Sequence, residues 1–284
     1  MKKIICILLT AVACLLCLAG PAAADVIEFS ECGFVDVAAI DDTLYIRTKL
    51  GGVYTWKPGD KELTLYESGY DARYYRGFAA IDGILYTIDK ENYQFTGIGE
   101  NGRGAPLDGA AIPDFEKTAN LGEGWQIYCM RNTPYGLFWV TYPNYHKNTL
   151  LLCRLDLSTM KLSCRPVPNI YSYCVQEEGT IWIVQNAGEE YPLSVLDWDS
   201  GKLAKVDDLP MAAGGMIMKD GDMYFNVKEG QIIRRAPDGN IEEIGQVSIH
   251  HGNHFNSILM NDDVLVYVRG NKLTAFSLSE AKEQ

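Results

Sequence analysis

The sequence predicts an all-β fold, a six-bladed β-propeller of four-stranded antiparallel blades that is closed by an N-terminal strand. Three observations predict this fold. A turn unit recurs six times at nearly constant spacing, short apolar strands alternate with Gly- and Asp-rich turns, and a spare strand near the N-terminus complements an incomplete last repeat. Long helical periodicity is absent from the sequence, which agrees with an all-β fold.

Each repeat contains a turn of Asp, Gly or Asn, followed by two or three apolar residues that usually include an aromatic residue. The six units are Asp41–Tyr45, Asp82–Tyr86, Tyr135–Trp139, Glu178–Trp182, Asp220–Tyr224 and Asp262–Val266. Their last residues are separated by 41, 53, 43, 42 and 42 positions. This pitch is the size of a four-stranded propeller blade.

The segments around each turn supply the four strands of a blade. An apolar segment such as Val37–Ile40 precedes the turn, and a second hairpin such as Val53–Trp56 with Leu63–Tyr66 follows it. The blades are predicted to begin near Val35, Gly77, Trp125, Tyr171, Gly215 and Ser257. The extra length of the second unit falls between residues 101 and 124, and we predict an excursion loop there.

The two ends of the chain explain how the ring closes. The sixth unit stops after its third strand, near Lys272–Leu278, and Val26–Ser30 is a spare strand at the other end. Placing this strand on the outside of the last blade completes the blade and covers an edge that would otherwise pair with other chains.

Residues 1–24 have the order of a secretory signal: two lysines, the apolar run Ile4–Leu18, and the small residues Ala22–Ala24. We expect cleavage after Ala24, which leaves residues 25–284 as one propeller domain. The expected location is therefore secreted or extracytoplasmic.

Two other fates of this N-terminal segment are less well supported. A membrane anchor would need roughly 20 apolar residues, more than this run supplies. A lipoprotein would use Cys14 or Cys17, but the preceding Ala11–Ala13 lacks the leucine expected three residues before a lipidated cysteine. We therefore expect no membrane span after cleavage.

The charge of the chain limits its partners. The formal net charge is −12, and loss of Lys2 and Lys3 with the signal makes the mature chain more acidic still. An acidic surface argues against nucleic acid and anionic lipid as partners and favours a soluble monomer.

No cofactor is predicted from the glycine-rich or histidine-rich segments. Gly97–Gly102 matches the string G-x-G-x-x-G, but Arg103–Pro106 follows it where a phosphate-binding helix would have to begin. His250, His251 and His254 lie close together and are able to hold Zn²⁺ or Cu²⁺. A metal site would need a further ligand from elsewhere, so we predict polar loop histidines and no metal.

Five cysteines remain once the signal is removed. They are Cys32, Cys129, Cys153, Cys164 and Cys174. Cys153 and Cys164 flank the hairpin-like segment Asp156–Lys161 and are the candidate disulfide, while Cys129 and Cys174 occupy equivalent positions of successive repeats and are an alternative pair. Isolated buried thiols are an equally good interpretation of the same residues.

Two repeats resemble known propeller families. The fifth unit, with Met223–Phe225, Gly230–Arg235 and Pro237–Gly239, resembles the YWTD repeats of lipoprotein-receptor propellers and of related bacterial propeller domains of unknown function. Leu196–Leu203 is similar to a Kelch or quinoprotein repeat. The resemblance extends over the mature chain at the level of the repeat. It implies the architecture and a binding role, and specifies no ligand.

The links between blades carry the candidate binding residues. In a propeller, the link from each outer strand to the next inner strand crosses one face beside the central channel, and loops on a rigid scaffold concentrate binding residues. The candidates are Arg73, Tyr74, Tyr75, Arg76, Trp125, Tyr171, Tyr173, His250, His251 and His254. Such side chains dominate interface hot spots, and aromatic rings also stack on sugars. We predict a protein, peptide or glycan ligand.

Three alternatives stay open. Some of these aromatic residues would simply pack between blades. The chain would instead be a secreted glycan-active or lactonase-like hydrolase if carboxylates converge at the channel mouth. A scaffold subunit would carry an apolar patch on its outer strands. The sequence contains neither a sialidase-type Asp box nor a G-x-S-x-G motif, so it names no catalytic residue and favours binding over catalysis.

Overall fold

The computed structural model describes residues 25–29, 33–71, 73–99, 106–112, 114–121, 125–142, 149–209, 213–227, 230–246 and 256–282. The first strand of the chain is β1 (Asp25–Glu28). Blade 1 contains β2 (Phe34–Ile40), β3 (Thr43–Thr48), β4 (Val53–Trp56) and β5 (Thr64–Glu67). Blade 2 contains β6 (Tyr75–Ile81), β7 (Ile84–Asp89), β8 (Gln94–Ile98) and β9 (Pro106–Ala111). The link after blade 2 holds the short helix α1 (Phe115–Thr118).

The other four blades follow the same pattern. Blade 3 contains β10 (Gln126–Thr133), β11 (Gly136–Tyr142), β12 (Thr149–Asp156) and β13 (Lys161–Pro168). Blade 4 contains β14 (Ile170–Val175), β15 (Ile181–Gln185), β16 (Tyr191–Leu196) and β17 (Leu203–Leu209). Blade 5 contains β18 (Ala213–Lys219), β19 (Asp222–Val227), β20 (Gln231–Arg235) and β21 (Ile241–Gln246). Blade 6 contains β22 (Asn256–Met260), β23 (Val264–Arg269) and β24 (Lys272–Ser277), after which α2 (Leu278–Lys282) ends the described chain.

The N-terminal strand completes the last blade. In blade 6 the strand order is β22, β23, β24 and β1, and β1 pairs antiparallel with β24 in a register that places Val26 opposite Thr274. Every other blade runs from inner to outer strand in chain order. The predicted fold class, a six-bladed propeller of four-stranded antiparallel blades, is confirmed.

The recurring Asp-Gly turns have a backbone reason. Asp82 and Gly83 have φ values of 50° and 76°, and Asp220 and Gly221 have 51° and 84°. Two consecutive residues with positive φ form the tight hairpin turn that matches the twist of the flanking strands, and Asp and Gly tolerate this conformation. These turns join the first and second strands of a blade, which is why the sequence unit marks each blade.

The core lies between neighbouring blades. The buried apolar side chains of the described residues form six clusters, each at the interface of two adjacent blades. One of them joins Leu44 and Trp56 of blade 1 to Val266 and Leu273 of blade 6, so the ring is also closed through its core. Burial of apolar surface is the main stabilising contribution in such a ring.

The extra length of the second unit is more structured than the predicted excursion loop. It includes the outer strand β9 and helix α1. The Phe115 ring is buried, with its centroid 5.4 Å from that of Trp125 and 5.8 Å from that of Trp139, edge to face in both cases. This segment therefore covers the core between blades 2 and 3. In the described part of the chain, no helix is long and apolar enough to cross a membrane.

Candidate functional site

The two faces of the ring differ in what they carry. The links from each outer strand to the next inner strand lie on one face, here called the loop face. The hairpins between the first and second strands of each blade lie on the opposite face, here called the turn face. The link before blade 2 is anchored by backbone hydrogen bonds from Tyr70 N to Gly51 O at 3.1 Å and from Lys90 N to Tyr74 O at 2.8 Å.

Arg73 and Tyr74 are the exposed residues among the predicted site residues that the structure describes. The Tyr74 side chain is 54% exposed, and the guanidinium carbon of Arg73 lies 5.7 Å from the centroid of its ring. Nε and Nη2 of Arg73 donate to the Asp71 carboxylate at 2.8–3.1 Å. These hydrogen bonds lower the pKa of Asp71 and fix the guanidinium beside the tyrosine.

Leu50, which was not predicted from the sequence as a site residue, lies on the turn that packs against this link. Its side chain is 71% exposed on the turn between β3 and β4. The adjacent Gly51 has a φ of 88°, and a Cβ there would lie 2.4 Å from Asp71 N, so the turn packs directly on the link. Leu50, Arg73 and Tyr74 are together called the blade 1–2 patch.

A buried ion pair supports this patch from below. Arg47 Nη2 donates to Asp36 Oδ2, and both side chains are almost completely buried. Arg47 Nη1 donates to the carbonyl oxygens of Tyr70 at 3.4 Å and Tyr75 at 3.2 Å. The arginine thus ties the first hairpin of blade 1 to both ends of the link. Burial raises the pKa of Asp36, although Arg47 opposes this effect.

The next two predicted residues are less exposed than Arg73 and Tyr74. Tyr75 is half-buried, with its ring centroid 5.5 Å from that of Tyr70. Arg76 is also half-buried, and its Nε donates to the carbonyl oxygen of Trp125 at 3.4 Å. Both side chains connect blade 2 to its neighbours on either side.

The predicted residues on blades 3 and 4 are more buried. Trp125 is 3% exposed and packs in the core between blades 2 and 3. Tyr173 is 1% exposed, and its hydroxyl donates to the carbonyl oxygens of Cys129 and Phe138. Burial raises the pKa of Tyr173 well above its usual value. Tyr171 is half-buried, and its ring centroid lies 6.1 Å from that of Tyr191.

The remaining site predictions concern the cysteines and the histidines. Cys153 and Cys164 lie directly opposite each other on β12 and β13 and are present as thiols. Burial raises the pKa of Cys153, and the neighbouring Cys164 thiol raises it further. His250, His251 and His254 lie outside the described residues, as does Cys32. Within the described ranges, no three His, Cys, Asp or Glu side chains are grouped so as to hold a metal ion.

The central channel contains a cavity of about 240 Å³. Residues from the inner strands of all six blades line it, and Arg131 is the charged one among them. The hydrolase alternative expects convergent carboxylates here, and none of the described lining residues is a carboxylate.

Comparisons with known proteins support the fold. No family model and no curated protein sequence matches the chain, so the resemblance to YWTD repeats stays a prediction. A structural-genomics target provisionally described as a gluconolactonase matches over 90% of this chain and 93% of its own, with a TM-score of 0.59 and 13% identity.

Two other solved structures match at similar levels. The WD40 β-propeller domain of Doa1 matches over 92% of this chain and 98% of its own, with a TM-score of 0.54 and 12% identity. YCF48 bound to the D1 peptide matches over 91% of this chain and 98% of its own, with a TM-score of 0.54 and 10% identity. At these identities the similarity establishes the propeller fold.

Proposed function

We propose that this chain is an exported, non-catalytic binding propeller that recognises a protein partner through the blade 1–2 patch. The observation that carries the proposal is the exposed Arg73–Tyr74 pair on an anchored link. Arginine and tyrosine are enriched among the residues that contribute most to protein interfaces. The propeller neighbours include both a peptide-bound protein and a provisionally described gluconolactonase, so the choice between binding and hydrolysis rests on the patch.

The composition of the patch favours a protein segment over a glycan. Leu50 offers an exposed aliphatic surface, which a protein side chain covers better than a sugar does. Asp71 neutralises much of the Arg73 charge through Nε and Nη2. The remaining guanidinium donors therefore suit backbone carbonyl oxygens of a partner better than a second carboxylate.

Preorganisation makes these few residues an effective binding site. The buried Arg47 holds the link through two carbonyl oxygens, and Asp71 holds the Arg73 guanidinium. Groups that are already ordered lose little conformational entropy when a partner binds, so more of the contact energy appears as affinity.

Export is the second part of the proposal. Strand β1 spans Asp25–Glu28, so all of it follows the predicted cleavage site. Cleavage after Ala24 would therefore leave the closing strand intact. N-terminal sequencing of the exported protein should find Asp25 first, and a mature chain that begins inside β1 would contradict this assignment.

The binding proposal is tested with peptides selected from a random phage-displayed library on immobilised residues 25–284. Affinity is then measured by fluorescence polarisation for the wild type, for the Arg73→Ala/Tyr74→Ala variant, and for Tyr66→Ala. Tyr66 is an exposed tyrosine on β5, outside the patch, and so is the matched control. We expect the double variant to weaken binding at least about tenfold, because a hot-spot side chain contributes about 2 kcal/mol. The control should bind like the wild type.

Two results would contradict the proposal. Peptides whose affinity is the same for the wild type and the double variant would place recognition elsewhere on the molecule. Hydrolysis of a sugar lactone by the purified wild type, followed by pH-stat titration, would favour the hydrolase instead.

A further inference from the structure

The cavity in the central channel is separate from the blade 1–2 patch. Most of its lining residues lie in the second halves of the inner strands, for example Val37–Ala39 of β2 and Ile217 and Met218 of β18. Since the inner strands run from the loop face to the turn face, the cavity lies towards the turn face. A ligand bound there would not compete with a partner on the patch.

Most of the cavity wall is aliphatic. Blades 1 and 2 contribute small side chains, Ala39 and Ala80 among them, and these create the space. Met218 of blade 5 and Ile258 and Leu259 of blade 6 line another part of the wall and are partly exposed. Such a wall suits an uncharged hydrocarbon chain.

Arg131 places one positive charge in this aliphatic wall. Its Nη1 donates to Met216 O at 2.9 Å, and its Nη2 donates to Ser257 Oγ at 3.0 Å. Its guanidinium carbon lies 5.4 Å from the Tyr173 ring centroid. These contacts join blade 3 to blades 4, 5 and 6 and fix the orientation of the guanidinium. All three partners are uncharged.

A cation in such surroundings favours an anionic ligand. Desolvation of an ion is costly unless an opposite charge compensates it, and a guanidinium binds a carboxylate through two parallel hydrogen bonds. We propose that the channel cavity binds a short aliphatic monocarboxylate, with its carboxylate on Arg131 and its chain against the aliphatic wall.

The size of the cavity limits the ligand. An apolar cavity of about 150 Å³ accepts benzene. The channel cavity, at about 240 Å³, is larger and has room for an acid of about eight non-hydrogen atoms. The volume of about 240 Å³ is therefore suited to a free small molecule.

The charge around the cavity further limits the ligand to one negative charge. Exposed carboxylates occupy the hairpin turns of the turn face, including Asp41, Asp82, Asp220 and Asp262. Arg131 is the charged residue among the described lining residues, so a second negative charge on the ligand would have no cation there to compensate it.

The first test uses the wild-type protein and three compounds. Isothermal titration calorimetry should show binding of 4-methylpentanoate with a Kd on the order of 1 mM, as expected for a ligand of this size. Its uncharged isostere 4-methylpentanamide should bind at least about tenfold more weakly, because a hydrogen bond to a charged group is lost. Succinate should also bind more weakly. Equal affinity for the acid and the amide, or no binding of the acid, would overturn the proposal.

Variants then locate the site. Arg131→Met should weaken binding of 4-methylpentanoate at least about tenfold. Arg154→Met is the matched control, since Arg154 is another arginine of blade 3 that donates to a backbone carbonyl and lies over a ring, that of Phe138. It should bind like the wild type.

A third variant covers the possibility that loss of Arg131 unfolds the ring. Ala39→Leu keeps the guanidinium and fills part of the cavity, so it should also abolish binding while the circular dichroism spectrum stays that of the wild type. Unchanged affinity in a folded Ala39→Leu or Arg131→Met variant would overturn the proposal.

Discussion

Replacing Arg47 by methionine should destabilise the protein strongly, because the change leaves a buried carboxylate without its cation. In the wild type the Arg47 and Asp36 side chains are 2% and 5% exposed. Removal of one partner of a buried ion pair costs about 3–5 kcal/mol. A domain of this kind has a free energy of unfolding of about 5–15 kcal/mol, so the loss is a large fraction of the total.

The loss should depend on pH in a defined direction. Burial raises the pKa of Asp36, so the folded protein holds this proton more tightly than the unfolded chain does. A group with a raised carboxyl pKa favours folding at low pH, and this contribution falls as pH rises from the unfolded pKa through the folded one. Without Arg47 the pKa of Asp36 rises further. The destabilisation by Arg47→Met should therefore be larger at pH 7 than at pH 4.

Urea unfolding at the two pH values measures this directly. The midpoint should fall while the m-value stays constant, which identifies a change in stability rather than in the surface exposed. The double variant Asp36→Leu/Arg47→Met should recover most of the loss, because no unpaired charge then remains in the core. A loss below about 1 kcal/mol for Arg47→Met, or equal losses at pH 4 and pH 7, would refute this reasoning.

Three further changes test other parts of the structure. Oxidation should join Cys153 and Cys164 in a disulfide, with the oxidant accepting the two thiol hydrogens. Mass spectrometry after treatment with an alkylating reagent should then find neither cysteine alkylated. Reduction of the disulfide should lower the free energy of unfolding by about 3 kcal/mol. Gly245→Ala should lower it by about 1–3 kcal/mol in urea unfolding, because the new Cβ would lie 2.2 Å from the buried Phe276 ring. Deletion of residues 25–29 should expose the edge of β24, which light scattering would detect as self-association; a monomer with unchanged Tm would contradict the role of β1.

The repeat made the fold predictable from the sequence. The predicted blade starts at Val35, Gly77, Trp125, Tyr171, Gly215 and Ser257 each lie within two residues of the observed inner strands. This accuracy has a physical basis, since each blade has a tight turn between its first and second strands, and in blades 2 and 5 an Asp-Gly pair supplies both of the positive φ values that the turn needs. The closing strand was predictable because an unpaired outer edge needs a partner.

The exposure of the candidate site residues was less predictable. Inner strands β2, β6, β10, β14 and β18 all contain a register shift against the second strand. One extra residue in a strand reverses which side chains point towards a given face, so simple alternation fails there. Tyr173 directly follows such a shift in β14, and for this reason simple alternation did not show that its side chain is buried.

Other residues were missed although the sequence contained a signal for them. Asp36, Arg47 and Arg131 are charged residues within otherwise apolar strand segments. Charged residues are rarely buried unless they are paired or functional, so their position in these segments was itself informative. The partners that they contact come from distant parts of the chain, such as Met216 and Ser257 for Arg131, and only the closed ring brings them together.

The most direct test of the proposed function is amide hydrogen exchange of residues 25–284 with and without a peptide selected from the phage-displayed library. The proposal predicts slower exchange in the turn at residues 48–52 and the link at residues 70–76, with little change on the turn face. Protection confined to the outer strands or to the hairpins of the turn face, with unchanged exchange at residues 70–76, would contradict it.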